Sequence, residues 1–320
     1  MIGFTSYGVS ATVEGAGWVR VFARALLTHS PGPEAELVRG WHRFMTLPLP
    51  DVPVTVRVGE HCVEARSGAS GYLEVRLPTT LAPGWHDARI ACPHGEDAST
   101  RVRMVGPDER DGVVSDLDDT VVITALPRPV RAFWNTFVRH ESSRLPVPGM
   151  PDLFRHLHGD DEAPFTAYVS TGPWNIAPTV ERFLSRHGYP PGPLLMTDWG
   201  PSDQRWFRSG RQHKQDSLRR LLADLPQLTW TLIGDDGQHD PALYEDLLRE
   251  HPRRVRRVLI RELSPGEQVL THGSPMARPS ASPDEHTESV PVLRGPDGAA
   301  LVRAVRASEL GQPNERDSEA

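Results

Sequence analysis

The chemistry in this sequence is concentrated in the run Val113-Val-Ser-Asp116-Leu-Asp118-Asp-Thr120, where three carboxylates follow a short apolar stretch. Carboxylates that leave the C-terminal end of a parallel strand stand at the edge where open α/β sheets build their sites. Taken alone, Asp-x-Asp-x-Thr is commonly a solvated or helix-capping cluster. A second acidic group, Thr231-Leu-Ile-Gly-Asp235-Asp236-Gly-Gln-His-Asp240, also follows an apolar run. If the two strands are neighbours, Asp116 and Asp235 meet above the sheet, and like charges at that range need a cation or raised pKa values. Hard oxygen donors with no accompanying cysteine favour Mg²⁺ over zinc. Asp235 or Asp236 has the alternative of capping the helix that Pro241 begins, which is strained as an explanation of all three aspartates.

Two further segments supply what a phosphate needs. Tyr168-Val-Ser170-Thr171-Gly172-Pro-Trp-Asn175 turns from a strand into a helix, whose first free N–H groups can hold an oxyanion beside a hydroxyl. Lys214 opens a helix after a polar loop and can neutralise phosphate charge. N-capping and a solvated lysine are the ordinary readings of these two parts. The order carboxylates, hydroxyl, lysine, carboxylates is what makes the joint case for phosphoryl transfer.

The elements that must position these groups divide the chain in three. Up to residue 106, Val54-Thr-Val-Arg-Val58, His61-Cys-Val-Glu-Ala-Arg66, Tyr72-Leu-Glu-Val-Arg-Leu77 and Arg101-Val-Arg-Met-Val105 alternate apolar and charged residues between turn clusters. That pattern predicts a small antiparallel β-sandwich domain. Residues 107–263 alternate brief apolar strands (Gly112 to Ser115, Phe165 to Ser170, Leu194 to Thr197, Thr229 to Ile233, Val255 to Ile260) with amphipathic stretches, the signature of an α/β parallel sheet flanked by helices. Helices are expected over Asn175 to His187, Lys214 to Leu225 and from Pro241. Residues 264–320 turn Ser- and Pro-rich and read as a flexible tail, within which Val290 to Leu310 can dock back as a hairpin or short helix.

Composition narrows the class. The 320 residues carry 35 Lys and Arg against 42 Asp and Glu, a net charge of −7, so nucleic-acid binding has no electrostatic support. Met1 to Ser10 show no basic start or apolar run, and no stretch approaches the roughly 18 apolar residues of a membrane span, so a soluble cytoplasmic protein is expected. Cys62 and Cys92 are too few for a disulfide framework, and both are expected as buried thiols in strands.

With Asp116-Leu-Asp118-Asp-Thr120, Ser170, Lys214, and Gly234-Asp235 with Asp240, residues 112 to 262 resemble the haloacid-dehalogenase-like (HAD) phosphatase superfamily. Ser170-Thr-Gly-Pro-Trp-Asn175, His213-Lys214, Ile233-Gly-Asp-Asp-Gly-Gln-His-Asp-Pro-Ala-Leu-Tyr244 and Val258-Leu-Ile-Arg-Glu262 are most similar to the catalytic domain of the actin-patch-associated phosphatidate phosphatases. Asp236 and Thr171 depart from the smaller residues that this resemblance leads one to expect. Ser70-Gly-Tyr-Leu-Glu-Val75 and Pro83-Gly-Trp-His86 resemble transthyretin-like or peptidase-associated accessory sandwiches.

The resemblance implies a Rossmann-like sheet with the first strand between the second and fourth. It implies Asp116 as nucleophile, Asp118 as acid and base, and Ser170 and Lys214 on the phosphoryl oxygens. Thr120, Thr171, Gly172 and Asn175 are then expected around the substrate, and Mg²⁺ at Asp116, the Asp118 carbonyl, Asp235 and Asp240. The implied substrate is phosphatidate, reached by peripheral membrane contact. Arg131-Ala-Phe-Trp-Asn-Thr-Phe-Val138, with Trp199, Arg205, Trp206, Phe207, Arg208 and Arg211, could form an aromatic and basic rim for it, or be ordinary core and solvated edge. A phosphatase of a soluble metabolite or phosphoprotein, and a phosphate-sensing scaffold, are the alternatives. The acid placed two residues after Asp116 argues against the scaffold, because a binder has no use for it.

Overall fold

The computed structural model describes residues 1–12, 15–27, 47–93, 95–123, 144–159, 164–197, 206–237, 240–272 and 290–310, with backbone alone at 206–209 and 269–272. The N-terminal part holds β1 (Ile2–Val9), β2 (Gly17–Arg24), the two-residue β3 (Leu26–Leu27) and β4 (Leu47–Pro48), β5 (Pro53–Val58), β6 (His61–Arg66), β7 (Tyr72–Thr79), β8 (Gly84–Ala91) and β9 (Ala98–Val105). Seven of them form one sheet in the order β6-β5-β8-β9-β1-β2-β7, antiparallel except for the parallel pair β1 and β9. The edge strands β6 and β7 come close to each other, so the sheet is partly barrel-like. Alternation fills its interior: Val54, Val56 and Val58 of β5 and Leu73, Val75 and Leu77 of β7 are buried, while Arg57 and Arg76 between them face out.

Two expectations are corrected here. The two-layer sandwich is instead a single curled sheet, because alternation shows which face is buried but not whether strands close on themselves or stack. Cys62 is exposed and Cys92 half-buried. Cys62 shares its strand phase with Glu64 and Arg66, which puts all three on the outer face of β6.

The second part begins with β10 (Asp111–Asp116) and continues through α1 (Met150–His158), β11 (Phe165–Pro173), a 3₁₀ turn (Trp174–Ile176), α2 (Ala177–Arg186), β12 (Leu194–Thr197), α3 (Trp206–Asp224), β13 (Thr229–Asp235), α4 (Asp240–Glu250) and β14 (Val255–Arg261). α5 (Pro265–His272), β15 (Val292–Gly295) and α6 (Gly298–Leu310) follow. The six strands pair in parallel in the order β12-β11-β10-β13-β14-β15. All five strands expected from apolar runs are present, and β10 lies between β11 and β13. Helices bury the expected faces: Ile176, Val180, Phe183 and Leu184 on one side, Leu218, Leu221, Leu222 and Leu225 on another.

Residues 292–310 are neither a hairpin nor a helix alone. β15 extends the sheet beside β14, and α6 buries Leu301 and Val305 in the same core as α1. Where α6 meets α1, a side chain on Gly298 would collide with the Gly149 backbone at 2.1 Å, so the two chains cross only with glycine there. α5 is opened by a reciprocal cap: Ser264 Oγ accepts the Glu267 N–H at 3.3 Å and Glu267 Oε2 accepts the Ser264 N–H at 2.8 Å.

The curled sheet and the parallel sheet share one core. Phe4, Tyr7 and Phe22 turn away from the barrel interior and cluster with Phe165 and Trp174, with Phe4 and Trp174 ring centres 4.8 Å apart. Polar links flank this contact, including Tyr7 Oη donating to Asp224 at 2.7 Å and the Thr5 hydroxyl donating to Glu181 at 2.9 Å. The aromatic and basic rim expected at Arg131 to Val138, Trp199 and Arg205, and the side chains of Trp206, Phe207 and Arg208, lie outside the described residues. Arg211 pairs with Asp246 at 2.9 Å.

Candidate active site

Parallel pairing in register, with Ser115 beside Ile233, brings Asp116 at the end of β10 and Asp235 at the end of β13 to one sheet edge. Beyond Asp116 the chain folds into a tight turn. The Val121 and Val122 N–H groups reach back to the Leu117 carbonyl at 3.0 and 3.1 Å, and Asp119 takes the left-handed conformation at φ 54°. A non-glycine residue is held there at a cost of about 1 kcal/mol or more. The turn places Asp118 so that Ser170 Oγ donates to its Oδ2 at 3.4 Å.

Lys214 projects from α3 into this edge. Its Nζ forms an ion pair with Asp116 Oδ1 at 2.7 Å and donates to Asp240 Oδ1 at 2.7 Å. Asp240 is the first residue of α4, and only glycine fits at position 234 beneath it, since a Cβ there would lie 2.7 Å from Asp240 Oδ2. Asp235 accepts the Gly237 N–H at 2.7 Å and the Thr120 hydroxyl at 3.4 Å.

One oxygen from each of Asp116, Asp235 and Asp240 lies within 4.8 Å of the others, and all three residues are buried. Asp116 Oδ2 and Asp240 Oδ2 are buried without a well-formed hydrogen bond. Three buried carboxylates against one ammonium, with acceptor oxygens left over, fit a hard divalent cation. The electrostatics agree. Burial pushes the Asp116 carboxyl up to about 7, with the charge of Asp240 adding to the effect and Lys214 opposing it. Burial likewise holds Asp118 well above the ordinary carboxylate range, with Asp116 next in effect, and Asp235 too, where Asp240 and then Asp116 add. Burial lowers the tendency of Lys214 to hold its proton, but Asp116 and Asp240 outweigh it and the ammonium is retained.

The segment expected to receive a phosphate is bent out of its ladder. β11 loses register with β12 between Val169 and Pro173, and in that irregularity Ser170 Oγ accepts the Gly172 N–H at 2.9 Å. The Thr171 and Gly172 carbonyls are both tied to Thr197 Oγ1, at 3.0 and 3.1 Å. Asn175 is exposed on the 3₁₀ turn and joins none of these contacts. Of the expected residues, Asp116, Asp118, Thr120, Ser170, Lys214, Asp235 and Asp240 therefore form one connected cluster. Thr171 and Gly172 border it through Ser170, and Asn175 stands apart.

Two bordering residues were not among those expected. Tyr244 donates to the Ile233 carbonyl at 2.9 Å, bracing the end of β13. Arg261 donates to the Asp119 carbonyl at 2.6 Å, and its signal in the sequence is a lone cation closing the apolar run Val258-Leu-Ile. Asp236 holds the Leu263 N–H at 2.8 Å, so the carboxylate at this unusual position fastens the chain after β14.

Residues 111–262 match the family model of the phosphatidate phosphatase APP1 catalytic domain. Phosphatidate phosphatase APP1 of Saccharomyces cerevisiae is 25% identical over 151 residues, 47% of this chain and 25% of that protein. An uncharacterized protein of Schizosaccharomyces pombe is 25% identical over 158 residues, 48% of this chain and 26% of its own length. The chain thus spans about a quarter of the length of the curated relatives it matches. The matched stretch runs from the first residue of β10 to one residue past β14 and contains every clustered side chain, while the curled sheet, β15 and α6 fall outside it. From β10 through β14 the chain is similar to the catalytic domain of phosphatidate phosphatase APP1, the likeness that its motifs had implied.

Proposed function

We propose that this chain is a Mg²⁺-dependent phosphatase of HAD type that hydrolyses phosphatidate to diacylglycerol and phosphate through an aspartyl-phosphate on Asp116. The observation that carries the proposal is the convergence of Asp116, Asp118, Lys214, Asp235 and Asp240 at one buried sheet edge. The match of residues 111–262 to a phosphatidate phosphatase catalytic domain supports the substrate class. The catalytic unit is read as starting at residue 107 and continuing beyond residue 263 to the end of α6, because β15 and α6 complete its sheet and core.

In the first step an Asp116 oxygen attacks phosphorus and the bond from phosphorus to the ester oxygen breaks. Asp118, whose burial favours its protonated form, gives that proton to the leaving alkoxide, which departs as the diacylglycerol hydroxyl. Water then attacks the phosphoryl group on Asp116 and passes a proton to Asp118, releasing inorganic phosphate and restoring both carboxyls. Lys214 draws charge from the phosphoryl oxygens, and Asp240 keeps its ammonium aimed at Asp116. Ser170 offers a hydroxyl beside Asp118, with Thr171 and Gly172 shaping the turn that receives the phosphate. Asp116, the Asp118 carbonyl, Asp235 and Asp240 would hold Mg²⁺, which when bound screens the approach of an anionic nucleophile to an anionic phosphate.

The substrate lies in a membrane, so the protein is taken to work peripherally from the cytoplasm. Among the described residues no helix is long and apolar enough to cross a membrane. The test is phosphate release from a panel with Mg²⁺: phosphatidate in mixed micelles, soluble sugar and aryl phosphates, and a phosphopeptide. Preference for phosphatidate, with flotation on phosphatidate-containing liposomes, is expected. Turnover of the soluble esters alone, with no response to lipid, overturns the substrate assignment.

A further inference from the structure

We infer that Arg261 is a positioning residue for the acid Asp118, and that it makes the segment after β14 part of the catalytic apparatus. The inference rests on the phosphatase reading above. Arg261 is the last residue of β14, paired in register with Asp235 on one side and Gly295 of β15 on the other. Its side chain is only 5% exposed, and a guanidinium in that position has to find acceptors for its donors. It finds them in three different elements. Nη1 donates to the Asp119 carbonyl at 2.6 Å, Nη2 to Glu267 Oε1 at 2.5 Å, and Nε to the Pro296 carbonyl at 3.3 Å.

The first of these acceptors belongs to the residue that follows Asp118 and sits at φ 54°. The left-handed turn is secured at Asp119 from both of its backbone groups: the N–H is on the Val122 carbonyl at 2.9 Å, and the carbonyl is on Arg261. Releasing the carbonyl lets Asp119 relax toward an unstrained conformation and carries Asp118 away from the leaving-group oxygen. The other two arms fix where the guanidinium stands. Glu267 is the acid of the cap that opens α5, and Pro296 lies between β15 and α6, so α5 and the link from β15 to α6, both beyond the matched stretch, hold the cation that holds the turn. Lysine carries the same charge but lacks the planar fork needed to span three acceptors in fixed directions.

Acid catalysis matters most when the leaving group is a poor one, and this separates positioning of Asp118 from simple support of the fold. The test compares wild type, Arg261→Lys and Arg261→Met on para-nitrophenyl phosphate and on an alkyl phosphate monoester, with Mg²⁺. Arg254→Ala serves as a stability control, since Arg254 donates to the Leu222, Leu225 and Leu228 carbonyls away from the site. Both Arg261 variants are expected to lose kcat by about tenfold or more on the alkyl ester and clearly less on the aryl ester, with KM within about twofold. Arg254→Ala is expected to lower Tm and leave the ratio of the two rates unchanged. If the Arg261 variants fail to fold, Glu267→Gln carries the test and should show the same bias toward the alkyl ester at smaller size. Equal loss on both esters, or rates that track Tm as in Arg254→Ala, overturns the inference. A wild type inactive on every phosphomonoester instead overturns the phosphatase reading, and this inference with it.

Discussion

The Lys214 ammonium lies 2.7 Å from Asp116 Oδ1 deep in the protein, with the side chains 7% and 2% exposed. A second carboxylate, Asp240, takes the same ammonium at 2.7 Å. The lysine is therefore the one cation among the described residues that touches the three-aspartate cluster, and much of the behaviour of the site follows from it.

Removing that cation leaves buried carboxylates uncompensated. Lys214→Met should destabilise the metal-free protein by about 3–5 kcal/mol, the usual cost of breaking one side of a buried ion pair. Urea unfolding in the presence of a chelator measures it. Added Mg²⁺ should restore part of the loss, and a variant as stable as wild type under both conditions would contradict the arrangement.

The raised carboxyls set the pH dependence. Asp116 in the folded protein stands at about 7, above its ordinary value near 4, so the folded state holds the proton more tightly than the unfolded chain does. The corresponding stability is full below that ordinary value and is lost as pH rises through about 7, and Asp118 and Asp235 act in the same direction. A cation replaces the protons. The rise in Tm on adding Mg²⁺ should therefore be larger at neutral pH than near about pH 5, with protons released on binding. Thermal scans across that window check it, and a Mg²⁺ effect that is flat or larger in acid runs against it.

The N-terminal sheet shares a hydrophobic core with the sheet that carries the site. Phe4 is 1% exposed, between the curled sheet and Trp174 on the 3₁₀ turn that follows the Ser170 bend. Phe4→Ala should cost about 3–5 kcal/mol in urea unfolding. A chain lacking residues 1–106 exposes the aromatic face around Trp174 and Phe165 and should fail to unfold cooperatively. A truncated protein that is soluble and unfolds in one sharp transition would show that the sheet is dispensable.

The strands that carry the clustered aspartates were legible because each ends an apolar run with a carboxylate: Val113-Val-Ser before Asp116, Thr231-Leu-Ile-Gly before Asp235. Their adjacency was what the family resemblance implied, and β10 does pair with β13. Other features depend on contacts between distant parts of the chain. The pairing of β1 with β9 joins Ser6 to Val102, which no local pattern marks. Phase within β6 could have placed Cys62 outside, beside Glu64 and Arg66, had alternation been weighed over the usual burial of cysteine. Ser264-Pro-Gly-Glu267 is a visible capping box hidden by the Ser and Pro content around it. Asn175 was expected at the substrate by its place in the motif, and the 3₁₀ turn leaves it exposed. Arg261 was visible as a charge ending an apolar strand, but its partner Asp119 lies 142 positions earlier in the chain.

Phosphoryl transfer to Asp116 is tested most directly by phosphate release from phosphatidate and from para-nitrophenyl phosphate, comparing wild type with Asp116→Asn, each with Mg²⁺ and with chelator. Mg²⁺-dependent release by wild type is predicted, with a loss of about 10³-fold or more in the variant while its unfolding transition stays cooperative. Equal release by Asp116→Asn, or release indifferent to the chelator, would contradict the account.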